Sequence, residues 1–168
     1  MSIDELNALD LTAFTARLGG IFEHSPWVAE DVWPLRPFAG IDDLHAAMCK
    51  SVVDAGEDAQ LTLLRAHPQL AGKAALRGEL TADSTREQQG AGLDQCSAEE
   101  FARLHALNAE YEQRFGFPFI LAVRGHTRAS ILDNLATRID NTREEEFAEA
   151  LHQVERIARF RLEALLTA

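Results

Sequence analysis

The 168-residue sequence predicts an all-α fold: a single compact multi-helix domain over 1–168, with one short extended segment near 116–123. Three observations carry this. Apolar residues recur at helical spacing along most of the chain. The stripes begin at capping residues and stop at glycine or proline. No stretch alternates with period two for long enough to pair into a sheet, and there is no internal repeat or low-complexity tract.

Taken in order, Asp10 is placed to cap a helix in which Leu11, Phe14 and Leu18 recur, with Phe22 continuing the spacing and Gly19-Gly20 weakening its end. Pro26 opens the segment SPWVAEDVW and Pro34 closes it. From Asp42, the spacing of Leu44, Met48 and Val52 marks another helix that ends near Gly56. The next, carrying Leu61, Leu63 and Leu64, has to stop before Pro68, because a residue ahead of proline is pushed out of helical geometry. Residues 68–80 read as irregular, broken by Gly72 and Gly78, and a polar helix runs from about Asp83 to Gly90. Ser97 and Glu100 form a capping box ahead of Phe101, Leu104, Leu107, Tyr111 and Phe115, a stripe that Gly116 terminates. Two helices follow, one from about Thr127 to Ile139 and one from a Thr142/Glu145 capping box to the C-terminus. Between them and Phe115 lies GFPFILAV, Gly116 to Val123, extended by composition and without an evident partner strand.

Length and a hydrophobic content of 46% match one core and no second domain. The longest apolar run, Phe117 to Val123, is too short to cross a bilayer, and Asp4 and Glu5 stand where a signal peptide would be basic. Cys49 and Cys96 form no C-x-x-C pair, the chain ends in Leu-Thr-Ala rather than a peroxisomal S-K-L, and the expected setting is the cytoplasm. A formal charge of −11 argues against nucleic acid or a membrane surface as partner. The charge is uneven. Residues 1–60 hold three basic and eleven acidic side chains, whereas 61–90 set Arg65, Lys73, Arg77 and Arg86 against Glu79, Asp83 and Glu87, so an anion is best tolerated there.

Four features invite a chemical reading. His67 sits where a helix stops, held between that helix and the ring of Pro68, and an imidazole on rigid backbone suits proton transfer near neutral pH; it also fits a histidine favoured by a helix C-terminus. Ser84, Glu87 and Gln88 share one face of a short helix, offering a hydroxyl, a carboxylate and an amide, although Ser84-x-x-Glu87 equally spells a capping box. Arg161 falls inside the apolar stripe of the last helix, drawn through Phe147, Leu151, Val154, Ala158 and Leu165. There a guanidinium needs an anion, supplied by a ligand or by some glutamate at the stripe's edge. The segment 117–123 packs as core, yet its backbone groups need partners, which a planar ligand rich in amides could provide. His45 and Cys49 at i, i+4 are at most half a zinc site, no metal set can be assembled, and the other histidines are scattered.

Five stretches in order, FEHSPWV at 22–28, LLRAHPQLAG at 63–72, STREQQGAGL at 84–93, LNAEYEQRFGFPFILAVRG at 107–125 and the closing ALHQVERIARFRL, resemble the 2-oxo-4-hydroxy-4-carboxy-5-ureidoimidazoline (OHCU) decarboxylase family over nearly the whole chain. The resemblance implies an all-helical homodimer without metal or organic cofactor, acting on a small-molecule ureidoimidazoline and releasing CO2 to give (S)-allantoin, the third step of urate degradation. It implies His67 as catalytic acid/base with Glu87. It further implies substrate contacts from Pro68, Ser84, Gln88, the backbone of Phe119, Ile120, Leu121, Ala122 and Val123, and Arg161. Gln69, in the position after the H-P pair, is often acidic in relatives. The rival reading is a non-enzymatic helical binding module in which His67 is a cap and Arg161 a structural ion pair. The enzyme reading requires these residues to converge, and the module does not.

Overall fold

The structure, a computed structural model, describes residues 1–166 and, within them, every side chain but that of Ala74. Its helices are α1 (Ile3–Asn7), α2 (Leu11–Leu18), α3 (Trp27–Val32), α4 (Ile41–Asp54), α5 (Glu57–Ala66), α6 (Lys73–Leu76), α7 (Ala82–Gly90), α8 (Ala98–Phe115), α9 (Arg128–Arg138) and α10 (Arg143–Leu165), with 3-10 turns at Trp33–Leu35 and Leu93–Gln95. No strand occurs among the described residues, so the all-α expectation holds. Among them, no helix is long and apolar enough to cross a membrane.

The chain forms two compact units, Met1–Ala66 with the chain from Val154, and His67–Gln153. In the first, α3 packs on α2 and α4. Asp10 caps α2 as its sequence position predicts, accepting the Ala13 N–H at 2.8 Å. Leu6, Phe14, Leu18, Phe22, Val28, Val32, Leu44 and Met48 are buried. Pro34 lies within the 3-10 turn that follows α3. Trp33 donates its indole N–H to the Leu9 carbonyl at 3.1 Å, with the Arg36 guanidinium 4.0 Å above its ring. The short α1 escapes a periodicity argument, because five residues hold barely one turn; a Ser2/Glu5 capping box starts it.

In the second unit α8 packs on α9. The Ser97/Glu100 box starts α8, and Gly116, with φ +82°, ends it in the left-handed conformation that glycine adopts without strain. Tyr111 lies at the centre of an aromatic cluster with Phe115 (ring centroids 4.6 Å apart), Phe119 (5.4 Å) and Phe117 (6.1 Å). The stretch 68–80, read from sequence as irregular, contains the single turn α6. The start of α7 also differs: Thr81 is its N-cap, accepting the Ser84 N–H at 3.2 Å, so the Ser84-x-x-Glu87 spacing is not the cap.

Candidate active site

His67 is the first residue after α5 and the first of the second unit. Pro68 cannot continue a helix, so the imidazole leaves the helical path at that point; it is buried, 8% exposed, with Nε2 shielded from solvent. The turn that follows is held from several sides. Gln88 of α7 accepts the Ala71 N–H at Oε1 (2.9 Å), and its Nε2 lies 3.5 Å from the Gln69 carbonyl, the long limit of a hydrogen bond. Asn108 of α8 donates to the Leu70 carbonyl at 3.0 Å, and Gln69 bonds Glu112 one helical turn further along α8.

The turn is strained as well as stapled. Ala71 is buried with φ +51°, a conformation that L-residues rarely adopt. Gly72 closes it by donating to the Gln69 carbonyl at 3.3 Å, and a Cβ there would come within 2.7 Å of the Gln69 Cβ. The sequence P-Q-L-A-G therefore has a geometric reason for its glycine.

Because Thr81 takes the capping role, Ser84, Glu87 and Gln88 lie together on one face of α7 without serving as its cap. Ser84 and Gln88 are buried and Glu87 half-buried. Gln88, expected from the resemblance to touch substrate, is seen here holding the backbone that follows His67. A cavity of about 440 Å³ opens beside α7, lined by Ala71, Thr85, Gln88, Leu93 and Phe101 among others; His67, Ser84 and Glu87 are not part of its lining.

From Pro118 to Val123 the chain has neither helix nor turn, and all of Phe119, Ile120, Leu121, Ala122 and Val123 are buried. Side chains partner part of its backbone. Arg138 donates from Nη1 to the Ile120 carbonyl at 2.7 Å, and Gln153 accepts the Ala122 N–H at 3.0 Å. Arg138 is itself held by Glu146, Nε to Oε1 at 2.9 Å, with its guanidinium carbon 4.5 Å above the Phe119 ring. The fully buried Glu146 also accepts the Tyr111 hydroxyl (2.6 Å) and the Asn141 amide (3.0 Å). Burial, reinforced by the bond to Glu146, pushes the Tyr111 phenol well above its ordinary value. Asn108 and Tyr111, three residues apart on α8, thus tie both the turn after His67 and the clamp on Ile120 to one helix.

Arg138, Glu146, Tyr111, Gln153 and Asn108 were not singled out from sequence for these roles. Two of them, Glu146 and Gln153, are polar residues on the buried side of α10, a face that the stripe through Phe147 and Leu151 does not include.

Arg161 belongs to the first unit. Its Nη1 lies 2.7 Å from Glu23 Oε2 and donates to the Gly20 carbonyl at 3.0 Å, with both side chains almost wholly buried. The anion that a core-facing guanidinium demands is present in the protein. His45 bonds the Glu155 carbonyl at 2.8 Å through Nε2, with the Cys49 sulfur 3.5 Å away, and burial raises that thiol to about 12. No grouping of His, Cys, Asp and Glu suited to a metal ion occurs among the described residues.

In this all-α protein a buried histidine on a stapled turn is followed by a helix face that carries a hydroxyl, a carboxylate and an amide. The chain belongs to the OHCU decarboxylase family, whose model matches residues 7–163. It is 45% identical over 166 residues to the uric acid degradation bifunctional protein PucL of Bacillus subtilis, covering 99% of this chain and 33% of that one. To the 2-oxo-4-hydroxy-4-carboxy-5-ureidoimidazoline decarboxylase of Halalkalicoccus jeotgali it is 41% identical, covering 98% and 92%. A crystal structure of (S)-allantoin synthase superimposes with a TM-score of 0.80 at 33% identity, over 99% of this chain and 54% of that chain. The chain thus spans about a third of the bifunctional relative, about half of the synthase chain and nearly all of the Halalkalicoccus decarboxylase.

Proposed function

We propose that this chain decarboxylates OHCU to (S)-allantoin and CO2 in urate degradation, with both compact units serving one functional domain. The observation that carries the reading is the family match through 7–163, which includes the strained, stapled turn after His67 and the Ser84/Glu87/Gln88 face. A strained, buried, over-determined backbone at a histidine is where catalytic geometry is commonly stored.

The chemistry asks little beyond positioned side chains. In the substrate, one ring carbon bears both a carboxylate and a hydroxyl, and its neighbour is bonded through C=N. When the bond to the carboxylate breaks, CO2 leaves and the electron pair forms a double bond to the neighbouring carbon, while the C=N electrons move onto nitrogen and take a proton. The hydroxyl then gives up its proton as the carbonyl forms, and the neighbouring carbon is protonated from one face, which sets the (S) configuration. The electron sink is part of the substrate, so no cofactor is needed for this step.

In this reading His67, oriented by Glu87, manages the proton at the hydroxyl or ring nitrogen. Pro68, Ser84, Gln88 and the backbone of 119–123 hold and orient the ring; orientation alone is worth several kcal/mol. The functional form is a homodimer in the cytoplasm, without metal. The test generates the intermediate freshly from urate and follows optically active allantoin by circular dichroism. The protein accelerates its appearance, and His67→Asn abolishes the acceleration while the far-ultraviolet spectrum is unchanged. Wild-type rates from that variant would sink the assignment.

A further inference from the structure

The side chains that clamp the extended segment have a consequence for how it meets a ligand. In an extended run, the N–H and C=O of one residue point to one edge and those of the next to the opposite edge. Ile120 and Ala122 therefore share an edge, and the protein occupies it: Arg138 of α9 takes the Ile120 carbonyl and Gln153 of α10 takes the Ala122 N–H. Leu121 presents its N–H and C=O to the other edge. Among the described residues no hydrogen bond reaches either group, although Leu121 is buried. A buried backbone pair of this kind needs a donor and an acceptor from elsewhere.

We propose that Arg138 and Gln153 are positioning residues for the reaction: they anchor the Ile120/Ala122 edge so that Leu121 offers its N–H and C=O to a planar ureido or cyclic amide group of the ligand, as a neighbouring strand would. This rests on the functional reading above. Both anchors are braced in turn, Arg138 by Glu146 and Gln153 by Glu149, to which its Nε2 donates at 2.7 Å. Two braced side chains set the segment's rotation about its own axis, which decides which edge a ligand meets.

The test pairs amide exchange with kinetics. Gln153→Leu removes the acceptor for Ala122, and the double variant Glu149→Gln with Gln153→Glu returns an acceptor at 153 and a donor at 149. The leucine variant exchanges the Ala122 amide about tenfold faster, as expected for one lost hydrogen bond, with α8 and α9 amides unchanged. Its KM rises about tenfold while kcat stays within about threefold, the pattern of lost ligand binding rather than lost chemistry. The swapped variant restores both values. Arg138→Lys keeps a charge beside Glu146 but cannot offer two donors in the guanidinium's fork, and raises KM in the same direction. Unchanged exchange at Ala122 in Gln153→Leu, or faster exchange with wild-type KM, overturns the proposal. If the leucine variant does not fold, failure of the swapped variant to show wild-type KM overturns it. A wild-type protein inactive on the fresh intermediate overturns the functional reading and the ligand half of this one, while exchange at Ala122 still shows whether the anchor exists.

Discussion

Replacing Tyr111 by Phe removes one oxygen atom from the centre of the second unit and leaves the ring in place. The ring keeps its contacts with Phe115, Phe117 and Phe119, so no large cavity is created. What is lost is a 2.6 Å hydrogen bond to a fully buried carboxylate. Bonds to charged groups contribute about 1.5–3 kcal/mol. Glu146 retains Arg138 and Asn141, which holds the loss below the roughly 3–5 kcal/mol expected when a buried charge is stripped of its partner. For a chain of this size that corresponds to a fall in Tm of about 3–12 °C, read by thermal and urea unfolding. The effect depends on pH in a defined direction. The phenol is raised above its ordinary value of 10.0, chiefly by burial and then by Glu146, so its contribution is fully present below about pH 10 and is lost as pH rises further. The gap between wild type and Tyr111→Phe therefore narrows in alkali. Tyr111 is the only tyrosine in the sequence, so its ionisation is seen directly by ultraviolet absorbance. A loss under about 0.5 kcal/mol, or a phenol that ionises at its ordinary value in the folded protein, would refute the reasoning.

Gly72→Ala forces a Cβ to within 2.7 Å of the Gln69 Cβ, so the turn after His67 must shift; turnover is expected to fall at least about tenfold while helix content by circular dichroism stays constant, since a misplacement near 1 Å can cost far more. Glu23→Gln leaves the buried Arg161 facing a neutral amide, with an expected loss of about 3–5 kcal/mol in urea unfolding, and a loss below about 1 would show that the ion pair is not a structural element. Glu100 is held below the ordinary glutamate value, first by the Ser97 backbone bond. Its contribution to the start of α8 is thus present above pH 4.5 and lost as pH falls through the lowered value, and carboxyl NMR should place its midpoint below 4.5.

What was legible in the sequence is what is local. Caps at Asp10, Ser97 and Thr142 and the stop at Gly116 act within a few residues, and each is found where its motif stands. The start of α7 shows the limit of local reading. Two residues, Thr81 and Ser84, could cap it, and the spacing to Glu87 favours the wrong one; Thr81 prevails and leaves the Ser84/Glu87 pair outside the cap. Helical phase is a subtler limit. The stripe drawn through Phe147, Leu151 and Leu165 follows half-buried residues, while the buried face runs through Glu146, Ala150, Gln153, Val154, Ile157, Ala158, Arg161 and Leu162. Arg161 lies on both faces, whereas Glu146 and Gln153 lie only on the buried one.

That displaced phase explains why the clamp on the extended segment could not be read beforehand. All three polar residues of the buried α10 face are engaged at long sequence range: Glu146 with Tyr111, Gln153 with Ala122, Arg161 with Glu23 and Gly20. Gln153 and Arg161 end on backbone that lies outside any helix, and Glu146 reaches such backbone through Arg138 and Ile120. Segments without secondary structure must have their buried amides and carbonyls satisfied from outside themselves, and a neighbouring helix can do so only by placing polar side chains on its apolar face. An extended run with no strand to pair with is thus itself a prediction that polar residues interrupt the stripe of some other helix. In this chain the interruptions at Glu146 and Gln153 supply what the segment 119–123 requires along one edge, so the other edge is where an added hydrogen-bonding partner has most to contribute.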